Sequence, residues 1–297
     1  MKILLLGKNG QVGWELQRSL SVLGEVIAPE RGNPALNGDL SDLGALKATI
    51  AQVEPHAIVN AAAYTAVDKA ETEPEQAHAI NAAAAALLAQ EAAQRDAWLV
   101  HYSTDYVFDG SGNTPWSEED ATASLSVYGQ SKLEGEKYIT ASGAKHLVLR
   151  TSWVYGAHGN NFLKTMLRLG AERPELRIVD DQIGAPTGAE LLADATAHAL
   201  RQALAGSPAL SGIYHVAASG YTDWRAYAEF VFDQARNLLP ERQFARTTPI
   251  PTADYPTPAQ RPLNSRLNTQ HFQTTFGLTL PAWQQGVARV VQEVLST

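Results

Sequence analysis

Lys2-Ile3-Leu4-Leu5-Leu6 runs straight into Gly7-Lys8-Asn9-Gly10-Gln11-Val12-Gly13, and the junction between them decides the fold. The short apolar run predicts a strand buried on both faces. Beyond it Val12, Leu16, Leu20 and Leu23 recur at helical spacing, which predicts a helix over residues 11–23. Glycines spaced G-x-x-G-x-x-G permit a tight turn between the two and let backbone amides close on a diphosphate. The helix N-terminus favours such an anion electrostatically. Three glycines would also serve a plain turn and helix cap. Their place at the first strand–helix junction is what favours a nucleotide.

Outward from this junction, strands are expected at residues 26–28, 56–62, 98–103 and 146–150. Helices are expected at 75–95, where alanine is abundant, and at 126–140. This alternation predicts an α/β fold built on a doubly wound parallel sheet. In such sheets ligands lie at the C-terminal strand ends. The loops at Gly7, 61–65, Thr104 and 151–153 should therefore converge on one cleft. After about residue 155 the pattern loosens. Helices are expected at 162–169, 189–203 and 283–294, a strand at 213–216, and an irregular proline-rich segment at 249–262. Residues 1–155 thus read as a dinucleotide-binding domain, with a segment near 187–217 returning to it. Residues 156–186 and 218–297 read mainly as a smaller C-terminal substrate-binding lobe. No internal repeat is evident.

The bulk numbers narrow the function class. Hydrophobic residues make up 45% of the 297 and charged residues 18%, a globular composition. A formal charge of −8 with no long basic run argues against a nucleic-acid partner. The chain has no cysteine, which excludes disulfides, thiolate metal sites and cysteine nucleophiles, and suits a reducing cytoplasm. The opening apolar run stops at Gly7, too short for an export signal, and no stretch reaches the roughly 20 apolar residues that span a bilayer. A cytoplasmic location and no membrane partner are the expectation. No His-Glu-x-x-His spacing suggests catalytic zinc.

Two side-chain constellations carry chemistry. Glu30 ends the second expected strand, where a carboxylate can bind an adenosine ribose, and Arg31 follows it, able to receive a 2′-phosphate. Both could equally be solvated loop charges, and together they leave NADH and NADPH open. Gly38-Asp39-Leu40, expected to end another short strand, could meet the adenine. The second constellation is Tyr128-Gly129-Gln130-Ser131-Lys132, which sets a phenol and an ammonium four residues apart on one helical face. A free tyrosine has a pKa of about 10, and a neighbouring cation stabilises its phenolate, bringing it closer to working pH. Tyr-x-x-x-Lys arises by chance on many helices. Here it follows a strand ending in Ser103-Thr104, whose hydroxyl can hold a substrate oxygen beside Tyr128.

With the glycine loop, the hydroxyl and the Tyr–Lys pair in that order, the chain resembles the extended short-chain dehydrogenase/reductase family. Within it the chain is most similar to reductases of 4-keto nucleotide sugars. The closer likeness rests on Val59-Asn60-Ala61-Ala62-Ala63-Tyr64-Thr65-Ala66-Val67-Asp68, Ser103-Thr104-Asp105-Tyr106-Val107-Phe108, Arg150-Thr151-Ser152-Trp153-Val154-Tyr155, Asp181-Gln182-Ile183-Gly184-Ala185-Pro186-Thr187 and Arg261-Pro262-Leu263-Asn264-Ser265, spread over nearly the whole chain. The resemblance implies a Rossmann-type sheet and the last step of dTDP-L-rhamnose synthesis, in which NADH or NADPH reduces the sugar's C4 ketone. It implies that Gly7, Gly10, Gln11 and Val12 meet the cofactor diphosphate, and that Glu30, Asp39 and Leu40 surround its adenosine. Ala63, Tyr64 and Thr65 would border it further along, with Tyr128 and Lys132 at the nicotinamide ribose. Thr104, Tyr128 and Lys132 would be catalytic. Thr104, Asp105, Trp153 and Arg261 would contact the nucleotide sugar, Arg261 at its diphosphate. Trp153 could instead be core packing and Arg261 a surface charge.

Dehydratases on this scaffold carry Thr-Asp-Glu where this chain has Thr104-Asp105-Tyr106, so water elimination is disfavoured. A 4-epimerase and a non-catalytic regulatory subunit remain as rivals. The joint presence of Thr104, Tyr128 and Lys132 argues against the latter. Some relatives are described as holding Mg²⁺ at a homodimer interface through three carboxylates, and Glu15, Glu190 and Glu293 fall at the matching positions. Three solvated glutamates on helices of an acidic protein are the plain alternative.

Overall fold

The computed structural model describes residues 1–206 and 208–296. Six strands, β1 (Lys2–Leu6), β2 (Glu25–Ile27), β3 (Ala57–Asn60), β4 (Trp98–Thr104), β5 (Lys145–Thr151) and β6 (Gly212–His215), form one sheet in the order β6-β5-β4-β3-β1-β2. Every neighbouring pair is parallel. The chain reverses its direction of travel across the sheet between β1 and β3, so the crevice above that switch point is where a ligand is expected. Alternation inside β1 shows why its sequence is continuously apolar. Ile3 and Leu5 face one core with Leu16 and Leu20, while Leu4 and Leu6 face a second with Leu46 and Ile50.

Helices cover both faces. On one side α1 (Gln11–Leu20) packs against the later helix α6 (Ala189–Leu204). On the other lie α2 (Leu43–Val53), α3 (Ala84–Gln94) and α4 (Val127–Ala141). A third apolar cluster belongs to a smaller lobe formed by α5 (Phe162–Glu172), α7 (Trp224–Leu238), α8 (Trp283–Leu295) and a parallel pair of short strands, Glu175–Val179 and Arg246–Ile250. Phe272, Phe276 and Leu280 lie in the sheet's core instead, so the stretch after residue 218 is divided between the two bodies.

Two local expectations differ from what is found. The stretch 75–95 is not one α-helix: Pro74–His78 is α, Ala79–Ala83 makes a π-turn, and α3 follows. Asn81 in that turn is buried and tied on both sides. It accepts from the Tyr64 amide at 2.9 Å and donates to the Tyr64 carbonyl at 3.1 Å and to Ser131 Oγ at 2.9 Å. The extra residue in the turn thereby joins the loop after β3 to α4. Residues 38–40 are not the end of a strand. Gly38 crowds Pro29, its amide donating to the Glu30 carbonyl at 3.0 Å, and a Cβ there would sit 2.7 Å from the Pro29 oxygen. That contact fixes an irregular segment against β2's exit.

Candidate active site

A cleft of about 700 Å³ opens at the C-terminal ends of β1, β3, β4 and β5. Its floor is the glycine loop. Gly7 takes φ +87°, and a Cβ on it would lie 2.6 Å from the Ala62 nitrogen; a Cβ on Gly13 would lie 2.0 Å from the Gly7 oxygen. Only glycine lets β1, α1 and the loop after β3 approach so closely. The first turn of α1, capped by Gly10 with no side-chain hydrogen bond, leaves its leading amides directed toward the cleft. This cradle fits a dinucleotide diphosphate, and the polar atoms above it fit the remainder. Ser103 Oγ and Thr151 Oγ1 are buried at the ends of adjacent strands with no protein partner.

Of the expected cofactor residues, Gly7, Gly10, Gln11, Val12 and Glu30 line this cleft, as do Leu40, Ala63, Thr65, Tyr128 and Lys132. Two side chains do not. Asp39 Oδ1 is engaged by the Ser41 amide at 2.9 Å and the Ser41 hydroxyl at 2.8 Å, so its carboxylate caps a turn. The Tyr64 hydroxyl turns away to Glu73, at 2.8 Å, leaving its backbone to shape the loop. Asn160, Gly159, Thr151 and Tyr102 also line the cleft. Thr151 belongs to a loop expected at this cleft; Asn160, Gly159 and Tyr102 carry no periodic or motif signal in the sequence. Gln11 Oε1 accepts from Asn161 at 2.9 Å and the Asn9 carbonyl meets His158 at 3.0 Å, which straps residues 156–161 across the glycine loop.

The catalytic candidates meet where β4 ends. Ser126 caps α4, its hydroxyl accepting from the Gly129 amide at 3.2 Å. Gly129 is needed because a Cβ there would lie 2.2 Å from the Tyr106 oxygen. Half-buried in the cleft wall, the Tyr128 phenol is pushed up to about 12 by burial; a hydrogen bond with Thr104 pulls the other way and Asp105 adds to the rise. The expected easing by Lys132 is not what the structure shows. Lys132 Nζ instead donates to the Tyr102 carbonyl at 2.6 Å and sits 3.1 Å from His101 Nε2. Burial brings Lys132 down to about 8, with Glu136 opposing. His101 is held well below its usual range by burial and by Lys132, so it is neutral.

Around the far side of Thr104 stand the expected substrate residues. Asp105 is buried and pushed up to about 6 by burial, against hydrogen bonds from Ser265 and Thr104. Its Oδ2 has no partner. The Tyr106 ring meets Tyr128 edge-on at 5.6 Å. Trp153, at φ +47°, stacks on Trp224 with centroids 3.7 Å apart, so the packing role and an aromatic wall coincide. Arg261 donates from Nη2 to Asp68 at 2.7 Å, while its buried Nη1 has no partner. A guanidinium edge left unpaired calls for an anion.

The three glutamates expected at a metal, Glu15, Glu190 and Glu293, are close enough to feel one another's charge. The Glu190 carboxyl is pushed up chiefly by burial, with Glu15 and Glu293 adding to the rise, so the three share a field. Glu15 is engaged by Arg18 at 3.5 Å, and among the described residues no group of three acidic or histidine side chains is placed to hold a metal ion. No helix among them is long and apolar enough to cross a membrane.

A doubly wound sheet, a glycine cradle for a diphosphate and a Tyr–Lys pair beside a buried threonine define a nicotinamide-dinucleotide oxidoreductase of the short-chain dehydrogenase/reductase class. Comparison with known proteins narrows this. The family described as the RmlD substrate binding domain matches residues 1–296. A dTDP-4-dehydrorhamnose reductase of Escherichia coli K12 is 54% identical over 297 residues, covering 100% of this chain and 99% of that protein. A crystal structure of a dTDP-4-dehydrorhamnose reductase from Clostridium acetobutylicum superposes with TM-score 0.91 at 34% identity, covering 100% of both chains. One from Bacillus anthracis, solved in complex with NADP, gives TM-score 0.87 at 33% identity and covers 98% of this chain and 99% of that one. The chain belongs to the dTDP-4-dehydrorhamnose reductase family.

Proposed function

We propose that this chain reduces the C4 ketone of dTDP-4-dehydro-L-rhamnose to dTDP-L-rhamnose, the last step of dTDP-rhamnose biosynthesis, with NADH or NADPH. The observation that carries the reading is the Tyr128 phenol beside Thr104, with Lys132 on the same helix, at the edge of the dinucleotide cleft. Family membership supports the substrate. NAD(P)H, when bound, supplies the hydride that adds to C4. Residues of the chain do the rest. Because burial keeps the phenol near 12, Tyr128 is protonated throughout the neutral range and acts as an acid. It gives its proton to the sugar oxygen as charge develops there, and the resulting phenolate recovers a proton from solvent. Thr104 hydrogen-bonds the same oxygen. Lys132, anchored by the Tyr102 carbonyl, holds the nicotinamide ribose.

In this reading residues 156–186 and part of 218–297 supply the substrate side. Asp105 Oδ2 accepts from a sugar hydroxyl, Trp153 faces the deoxysugar's apolar side and Arg261 Nη1 takes the diphosphate. No step uses a metal ion. The test is a turnover assay with dTDP-4-dehydro-L-rhamnose and each reduced coenzyme. Loss of one reduced coenzyme per sugar converted, with dTDP-L-rhamnose as product, is expected. Conversion without net coenzyme consumption would instead mark an epimerase, and no conversion would leave a binding subunit.

A further inference from the structure

At the adenosine end of the cleft a lysine covers the carboxylate that would choose the coenzyme. Lys8, the residue after the first glycine of the loop, places Nζ 2.9 Å from Glu30 Oε1; its side chain is 24% exposed and that of Glu30 60%. The Lys8 backbone is packed into this corner. Its carbonyl accepts from Gln17 at 3.1 Å, and Gly13 is so close that a Cβ there would stand 3.1 Å from the Lys8 Cα. Arg31 lines the same corner. It also helps to hold the Asp39 carboxyl low, after the larger effect of the Ser41 hydrogen bonds. One carboxylate, Glu30, and two cations, Lys8 and Arg31, therefore line the end of the cleft that the adenosine ribose would occupy.

A carboxylate after the second strand accepts hydrogen bonds from both ribose hydroxyls and repels a phosphate on the 2′ oxygen. Glu30 unaccompanied would select against that phosphate. With its charge matched by Lys8 the repulsion is cancelled, and the ammonium is already within reach of whatever replaces the hydroxyl. We propose that Lys8 is the residue that admits the 2′-phosphate: it pairs with Glu30 when the ribose carries a hydroxyl and turns to the phosphate when it carries one, with Arg31 as the second cation. The diphosphate does not need Lys8, because the leading amides of α1 and the glycine loop serve it. This inference rests on the reading of the cleft as a nicotinamide-dinucleotide site.

Binding of NADPH and NADH to the full chain, followed by nucleotide fluorescence without sugar, tests it in the wild type, Lys8→Met, Glu30→Gln and the double variant. Lys8→Met should weaken NADPH by roughly tenfold, the size of a lost charge-assisted phosphate contact, and leave NADH within about threefold. Unchanged NADH binding also shows that the variant is folded. Glu30→Gln should move the ratio the other way, and the double variant should recover much of the NADPH loss. The NADPH constant should depend more steeply on salt than the NADH constant in the wild type, and that difference should shrink in Lys8→Met, where Arg31 alone meets the phosphate. Equal weakening of both coenzymes by Lys8→Met would assign Lys8 to the diphosphate and overturn the proposal, as would a Glu30→Gln ratio equal to the wild type's. Failure of the wild type to bind either coenzyme would overturn the reading of the cleft itself, and this proposal with it.

Discussion

Arg261 Nη2 donates to Asp68 Oδ2 at 2.7 Å, and Asp68 Oδ1 accepts from the Ala259 amide at 3.2 Å. The short helix Val67–Ala70, beyond the cofactor-side residues Ala63–Thr65, thus holds the proline-rich segment and leaves Arg261 Nη1 buried and unpaired. Substituting Arg261→Lys keeps a charge but removes the second edge. The KM for the nucleotide sugar should rise about ten- to a hundredfold, the worth of one charged hydrogen bond, while NADPH binding is unchanged. An unchanged KM would return Arg261 to a surface role.

Asp105 should be costly to the fold. Its folded pKa, about 6, lies above the ordinary carboxyl value. The penalty is absent below about pH 4, grows as pH rises from there to 6, and is complete above it. Asp105→Asn should therefore raise the melting temperature near pH 7.5, by at most about 3 kcal/mol of stability, and lose that gain near pH 4. Turnover should fall in the same variant, since the unpaired Oδ2 becomes an amide or loses its charge. A stabilised variant with full activity would show Asp105 to be unused by substrate.

Lys132 loses its proton at about 8 in the free protein because it is buried. If its ammonium holds the ribose, coenzyme affinity should decline as pH rises through 8. Lys132→Arg, always charged, should flatten that decline while lowering turnover, because the planar guanidinium cannot occupy the same place between His101 and the Tyr102 carbonyl. Coenzyme dissociation constants from about pH 6.5 to about 9.5 read this directly. A wild-type profile flat across that range would contradict it.

Asn81 joins three elements through a π-turn, so Asn81→Ala strands the Tyr64 amide and carbonyl and leaves the Ser131 hydroxyl only its bond to the Tyr128 carbonyl. A loss of about 2–3 kcal/mol in denaturant unfolding is expected. Because Ser131 lies beside Lys132 on α4, turnover should drop as well. Stability equal to wild type would show the turn to be held by packing alone.

Much of this architecture is legible from residue pattern. The both-sided burial of β1 follows from its unbroken apolar run, and the glycine spacing places the cleft. The legible parts are those governed by local periodicity or by a residue type with one conformational use. What escaped depends on contacts distant in sequence. Asn81 sits among alanines and gains meaning only from Tyr64 and Ser131. Lys8 looks like a solvated loop charge until β2 brings Glu30 beside it. The turn of Lys132 toward Tyr102 rather than toward Tyr128 also depends on how α4 lies on β4. Helix α7 lies outside the expected elements although its signals are local: Asp223 caps it, and Tyr227, Ala228, Val231, Phe232 and Ala235 recur at helical spacing.

The central claim is that Tyr128 is the acid. The most direct measurement compares single-turnover oxidation of bound NADPH by dTDP-4-dehydro-L-rhamnose in the wild type and in Tyr128→Phe. Coenzyme binding should be within a few-fold of the wild type, and the rate should fall on the order of 10²- to 10⁴-fold, the usual worth of a positioned general acid. A Tyr128→Phe chain that oxidises NADPH at a near-normal rate would contradict the account.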